Sequence, residues 1–177
     1  MKKNKKIWYA PYKFESYGEA EIKAVEKSLR SGWLGGQGPQ SVKFEKAIAK
    51  RFGKKYGVFV NSGSSACLLA IAALGLPKGS KIITPACTFS TTLAPIIQLG
   101  YIPIFVDVDL TSYCATVDAI MEVLEDDVKA IMLPNLIGNK PDWESLKFEL
   151  GNFKRSDIIL IEDSADTITT TDVTDVS

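Results

Sequence analysis

Apolar residues recur along this chain in two rhythms. Within residues 17–29, Ile22, Val25 and Leu29 fall at helical spacing with charged residues between them, which predicts an amphipathic helix ending at Ser31-Gly32. A glycine-rich stretch, Trp33-Leu34-Gly35-Gly36-Gln37-Gly38-Pro39, leads into a second helix carrying Val42, Phe44, Ile48 and Phe52 and stopped by Gly53. From there short apolar runs alternate with helical segments. The pattern predicts strands at 58–60, 81–84, 102–108, 129–133 and 157–161, and helices at 65–74, 92–99 (despite Pro95), 117–124 and 143–150. Pro103 suits the first residues of its strand or an edge position. Strands alternating with helices, with runs apolar on both faces, predict an α/β fold built on a mainly parallel sheet with helical crossovers. The last segment, 167–177, is polar, rich in Thr and Asp and without a helical face, and reads as a further strand or a frayed end.

Composition narrows the function classes. The 177 residues are 46% hydrophobic, enough for one substantial core. Lys and Arg number 21 against 21 Asp and Glu, so no overall field draws in nucleic acid or an anionic membrane, and an anionic ligand has to be held locally. The basic start, Met1-Lys2-Lys3-Asn4-Lys5-Lys6, is not followed by the apolar stretch of a signal peptide, and residues 1–11 read as a solvated tail. No segment is apolar for long enough to span a bilayer. Cys67, Cys87 and Cys114 share no metal or redox spacing, which points to buried thiols in a reducing compartment, hence the cytoplasm. Histidine is absent, which removes Ser-His and Cys-His nucleophile pairs and His-based metal sites from these 177 residues.

Two features carry candidate chemistry. Asn61-Ser62-Gly63-Ser64-Ser65-Ala66 joins an apolar run to a helix start through small residues. Such a turn caps a helix with Ser and Gly, or it seats a phosphate on free amides at the positive end of the helix dipole. A hundred residues later, Ile158-Ile159-Leu160-Ile161-Glu162-Asp163 is a strand ending in acid. Adjacent strand residues point to opposite faces, so Glu162 and Asp163 do not form a carboxylate pair sharing a proton. One is open to a capping role. The other is open to a buried carboxylate that keeps a ring nitrogen protonated, in the crevice where open α/β sheets hold ligands. Phe89, in Pro85-Ala86-Cys87-Thr88-Phe89-Ser90-Thr91-Thr92, is either a core aromatic or a face on which a flat ligand stacks. Asp107 and Asp109 read as turn caps rather than metal ligands.

Taken in order, the Trp33 to Pro39 stretch with Phe44-Glu45, Asn61-Ser62-Gly63-Ser64-Ser65-Ala66, the 85–92 stretch, Phe105-Val106-Asp107-Val108-Asp109 and Ile161-Glu162-Asp163-Ser164-Ala165-Asp166 resemble the DegT/DnrJ/EryC1/StrS sugar-nucleotide aminotransferases. These are fold-type I enzymes dependent on pyridoxal 5'-phosphate. The resemblance runs from about Tyr12 to the end and covers the amino-terminal part of such an enzyme, so 12–177 reads as an incomplete large domain. It implies that Gly63, Ser64 and Ser65 hold the cofactor phosphate, Phe89 stacks on the ring, and Asp163 pairs with the protonated ring nitrogen. Asp166 falls where the family usually has His or Gln near the ring hydroxyl. The 33–39 loop would lie by the substrate or the partner subunit of a homodimer.

The resemblance implies an aminotransferase acting on nucleotide-linked keto-deoxysugars, with an amino donor such as glutamate, in lipopolysaccharide or other polysaccharide synthesis. One departure tilts toward the related 3-dehydratases. Where the aminotransferases usually carry His-Leu-Tyr-Gly, this chain reads Asn135-Leu136-Ile137-Gly138-Asn139. The lysine or histidine that separates the two chemistries lies downstream of the acid strand, past Asp175-Val176-Ser177, and none of Lys78, Lys81, Lys129, Lys140, Lys147 or Lys154 takes that place. No catalytic residue is therefore expected within these residues. The reading from another class is a non-catalytic phosphate-binding fragment.

Overall fold

The computed structural model describes residues 17–33 and 35–167. Among these residues, six α-helices and four strands occur in the order α1 (Glu19–Arg30), α2 (Pro39–Arg51), α3 (Gly63–Ala73), β1 (Lys81–Pro85), α4 (Ser90–Gln98), β2 (Ile102–Val106), α5 (Val117–Glu122), β3 (Val128–Pro134), α6 (Trp143–Asn152) and β4 (Ile159–Asp163). Contacts divide the chain into two units, 1–44 and 45–177, with the division inside α2. The basic tail and the 168–177 segment lie outside the described residues.

In the first unit, α1 starts where Gly18 donates its N–H to Glu21 Oε2 (2.8 Å), and acids in its first turn and bases in its last complement the helix dipole. The helix forms as its pattern predicts. Its apolar stripe, Ile22, Val25 and Leu29, is exposed.

The second unit holds the sheet. All four strands are parallel in the order β2-β1-β3-β4. The strand alternation divides the core in two. Ile82, Ala130 and Met132 face Cys67 and Ile71 of α3 and Ile96 of α4, with Ile161 packed against them. Ile83, Val106, Ile131 and Leu133 face Ile120 of α5 and Trp143, Leu146 and Leu150 of α6. The sheet is thus apolar on both sides, as a parallel sheet with crossover helices has to be. Each fully buried Ile here is worth about 1.5–3 kcal/mol relative to exposure. From β1 the chain crosses by α4 on one face to β2, then returns by α5 on the other face to β3, on the far side of β1. The connections diverge at the carboxyl ends of β1 and β3, where open α/β sheets form their ligand crevice.

Several boundaries differ from the sequence pattern. Residues 58–60 do not form a strand: a strand needs a partner to ladder with, and among the described residues none pairs with this run, whose Val58 and Phe59 are 73% and 56% exposed. The run is anchored instead by Glu45, whose Oε1 accepts the Phe59 N–H at 2.9 Å. Helix α4 begins at Ser90, ahead of the expected 92, and buries Pro95 against the sheet. The third apolar run ends its ladder at Val106, and Val108 makes only an isolated antiparallel bridge to Ala115. Between them Asp109 caps the turn, its Oδ1 accepting the N–H groups of Thr111 (3.0 Å) and Ser112 (2.9 Å) as well as the Thr111 hydroxyl. These bonds hold the Asp109 carboxyl down at about 2.

Gly57 is required by a close approach, since a Cβ there would lie 2.5 Å from the backbone carbonyl oxygen of Glu45, which cannot move away as a side chain could. Gly57→Ala is expected to destabilise by about 1–3 kcal/mol. Gly151→Ala, within α6 and with nothing inside 4 Å of its added Cβ, is expected to stabilise by about 0.5–1 kcal/mol. Urea unfolding midpoints of the two variants check both signs.

Candidate active site

The turn before α3 is a helix cap in its own right. Ser62 is extended and its Oγ accepts the Ser65 N–H at 3.2 Å while donating to Ser65 Oγ at 3.2 Å. This leaves Gly63 and Ser64, whose amides meet no acceptor among the described residues. Of the three residues expected to hold an anion, two therefore present N–H groups with no acceptor among the described residues at the positive end of the α3 dipole, while the Ser65 N–H is taken by the cap.

One turn further into α3, Cys67 reaches the end of β4: its thiol donates to Asp163 Oδ2 at 3.5 Å. A second donor comes from α4, where the Thr92 hydroxyl meets the same Oδ2 at 2.8 Å. Among the described residues, Asp163 Oδ1 accepts only the Ala165 N–H, at 3.3 Å. Asp163 lies on the Ile161 side of β4, the face covered by α3 and α4, and β3 holds its backbone through the Asn135 N–H bond to the Asp163 carbonyl (2.9 Å). Burial, reinforced by the negative charge of Asp163, pushes the Cys67 thiol up to about 12. The thiol therefore stays protonated and remains a donor.

Phe89 sits immediately before α4, its carbonyl accepting the Thr92 N–H at 3.0 Å, and its ring is 69% exposed. The usual core fate of a phenylalanine is ruled out by that exposure. The second turn of α3, the first turn of α4 and the end of β4 are thus tied together through Asp163, with Gly63, Ser64 and Ser65 at the start of α3 and Phe89 immediately before α4.

Glu162 points to the opposite face, as strand alternation requires. It accepts bonds from Asn135 Nδ2 and from Ser164 Oγ (2.9 Å), and Asn135 Nδ2 also donates to Ser164 Oγ at 3.1 Å. Asn135 is 1% exposed and its Oδ1 has no partner among the described residues. Asp166 is engaged by the β3 loop: its Oδ2 accepts the Ile137 N–H at 3.0 Å. That bond holds Ile137 at φ 56°, a left-handed conformation a β-branched residue rarely adopts, ahead of Gly138 at φ 83°. Sequence reasoning missed Thr92 and Asn135 as site residues and saw Cys67 only as a buried thiol. Thr92 follows Ser90 and Thr91, equally small and polar, so its local pattern did not single it out.

Residues 15–174 match the DegT/DnrJ/EryC1/StrS aminotransferase family. The chain belongs to this family. It is 36% identical over 164 residues to GDP-4-keto-6-deoxy-D-mannose 3-dehydratase of Escherichia coli O55:H7, a match spanning 89% of this chain and 41% of that protein. A crystal structure of GDP-4-keto-6-deoxymannose-3-dehydratase with a trapped PLP-glutamate geminal diamine superposes with a TM-score of 0.79 at 37% identity, covering 86% of this chain and 40% of that one. The aminotransferase from Psychrobacter cryohalolentis gives a TM-score of 0.79 at 26% identity, covering 89% of this chain and 39% of that one. The chain thus spans about 40% of the length of these relatives. The expected fold class is borne out, a parallel α/β sheet matching fold-type I transferase structures. Family members include both sugar aminotransferases and sugar 3-dehydratases. Among the described residues no helix is long and apolar enough to cross a membrane.

The environments of the cysteines predict their reactivity. Cys87 is exposed and is expected to react with a thiol reagent at pH 8, whereas Cys67 is expected to stay unmodified until the protein unfolds. Because folding raises the Cys67 value from 9.0 to about 12, the unfolded chain loses its proton first, and this thiol's stabilising contribution declines between pH 9 and 12. Mass-spectrometric labelling against pH, with Cys67→Ala as reference, measures both effects.

Proposed function

We propose that this chain is the amino-terminal part of the large domain of a pyridoxal-phosphate enzyme acting on nucleotide-linked keto-deoxysugars, serving lipopolysaccharide or other polysaccharide synthesis in the cytoplasm. The observation that carries the reading is the convergence on Asp163. A half-buried carboxylate is held at one oxygen by two protein donors, beside a helix start with two free amides and an exposed aromatic ring. This donor set fits the cofactor: amides for a dianionic phosphate, a carboxylate for a ring N–H, an apolar face for a flat ring.

In this reading the Gly63 and Ser64 amides and the Ser65 hydroxyl bind the phosphate, replacing water without a cationic side chain. Phe89 covers one face of the ring and limits solvent access. Asp163 holds a proton at the ring nitrogen by ion pairing. When bound, the cofactor supplies an electron sink that stabilises negative charge at the substrate carbon being deprotonated. The whole enzyme is a homodimer in this reading, and Asp166 keeps the β3 loop in place near the ring hydroxyl. The lysine or histidine that moves the substrate proton belongs to a part of the enzyme beyond these residues. None of the chain's own lysines is assigned to it.

Transamination is the activity for which the family is named, and glutamate is the donor in this reading. The 3-dehydratase reading, loss of the C3 hydroxyl from a 4-keto-6-deoxy sugar, is supported by the Asn135 to Asn139 stretch and by relatives at 36% and 37% identity carrying that activity, against 26% for the aminotransferase structure. A lysine encoded after the acid strand supports the first and a histidine the second. A non-catalytic phosphate-binding fragment is the remaining alternative.

Fluorescence titration tests the cofactor assignment on the chain itself. Non-covalent binding of pyridoxal 5'-phosphate is expected, weakened about tenfold by Asp163→Ala, the scale of one charged hydrogen bond. No absorbance band removable by substituting a single lysine is expected. Affinity unchanged in the variant would overturn the assignment of Asp163, and a stoichiometric lysine-dependent band would overturn the statement that the catalytic lysine lies elsewhere.

A further inference from the structure

Two neutral donors from different helices end on one oxygen of Asp163. Thr92 is fully buried in α4, at 2.8 Å from Oδ2, and Cys67, nearly as buried in α3, is at 3.5 Å from the same atom. Among the described residues, Oδ1 is left with one long bond from the Ala165 N–H, at 3.3 Å. A carboxylate oxygen holds about two lone-pair sites in its plane, so Oδ2 is filled by the protein and Oδ1 retains free acceptor capacity. The two oxygens are chemically equal, and only their surroundings distinguish them.

We infer that Thr92 is a positioning residue: with Cys67 it occupies Asp163 Oδ2, fixes the carboxylate plane, and presents Oδ1 as the acceptor for the cofactor's ring N–H. This rests on the cofactor reading above. Thr92 has little freedom of its own. Its hydroxyl sits in the first turn of a helix whose Pro95 is buried and whose Ile96 packs on the sheet, so the donor is held on a rigid element. Removing the hydroxyl frees Oδ2 to compete for the ring N–H and lets the plane rotate, and both effects weaken a directed charged bond.

A merely structural role for Thr92 would act on any ligand of the same shape. The discriminating probe is 1-deaza-pyridoxal 5'-phosphate, which keeps the phosphate and the flat ring but carries carbon in place of the ring nitrogen. Thr92→Val is expected to weaken pyridoxal 5'-phosphate binding about fivefold to tenfold and to leave binding of the deaza analogue within about twofold, while Thr92→Ser restores wild-type behaviour. Asp163→Asn measured in parallel separates the two levels of the argument. If Asp163→Asn weakens the natural cofactor and Thr92→Val does not, or if Thr92→Val weakens both ligands equally, the positioning role is overturned and the cofactor reading stands. If Asp163→Asn leaves the natural cofactor's affinity unchanged, the cofactor reading falls and takes this inference with it. Circular dichroism reports whether Thr92→Val folds; should it not fold, Thr92→Ala with Cys67→Ala reads the same pair of donors, with the same outcomes.

Discussion

The pairing of β4 with β3 is the constraint on which the site depends. The two strands ladder in parallel to the last residue, setting Leu133 beside Glu162 and Pro134 beside Asp163. The alternation along β4 then sends two consecutive acids to opposite sides of the sheet. Asp163 goes to the side of α3 and α4, where Cys67 and Thr92 meet it. Glu162 goes to the other side, where Asn135 and Ser164 meet it. A slip of one residue would exchange these partners and put each carboxylate among the wrong donors.

Holding a carboxylate half out of water costs free energy unless donors replace the lost hydration. The two acids are supplied differently. Glu162 is held by amide and hydroxyl side chains from the ends of two strands, a closed network that ties the β3 loop to the β4 turn. Asp163 takes its donors from two helices and, among the described residues, keeps one oxygen largely unused. The same functional group at one strand end thus has a structural role on one face and an open acceptor on the other. The topology places the open one usefully, because α4 and α5 cover opposite faces and the connections diverge there.

Much of this was legible in the residues. Short apolar runs alternating with helical segments specify a parallel sheet because strands buried on both faces cannot alternate with polar residues, and β1 and β3 are close to where that pattern puts them. The Ser62 cap and the Asp109 turn also follow from local chemistry, since a short polar side chain bonding an amide two or three residues on needs no distant partner. The 58–60 run shows the limit. Its residues are good strand formers, yet strand is a paired state, and composition does not reveal whether a partner is at hand. Phe89 shows it again: a phenylalanine is ordinarily buried, and only its place at the exposed entry to α4 exposes it.

By itself the sequence determined the α/β class, the phosphate-suited turn before α3, the acid at the end of β4 and the opposite facing of Glu162 and Asp163, because each depends on a local period or a local turn. Tertiary structure alone decided which donors serve which acid. Cys67 and Asp163 are 96 residues apart, and Thr92 and Asp163 are 71 apart. Neither threonine nor cysteine announces such a bond in its local pattern. The bonds exist because the crossovers bring α3 and α4 onto one face of β4, and a hydrogen bond of 2.8 Å is decided by that packing and not by any spacing along the chain.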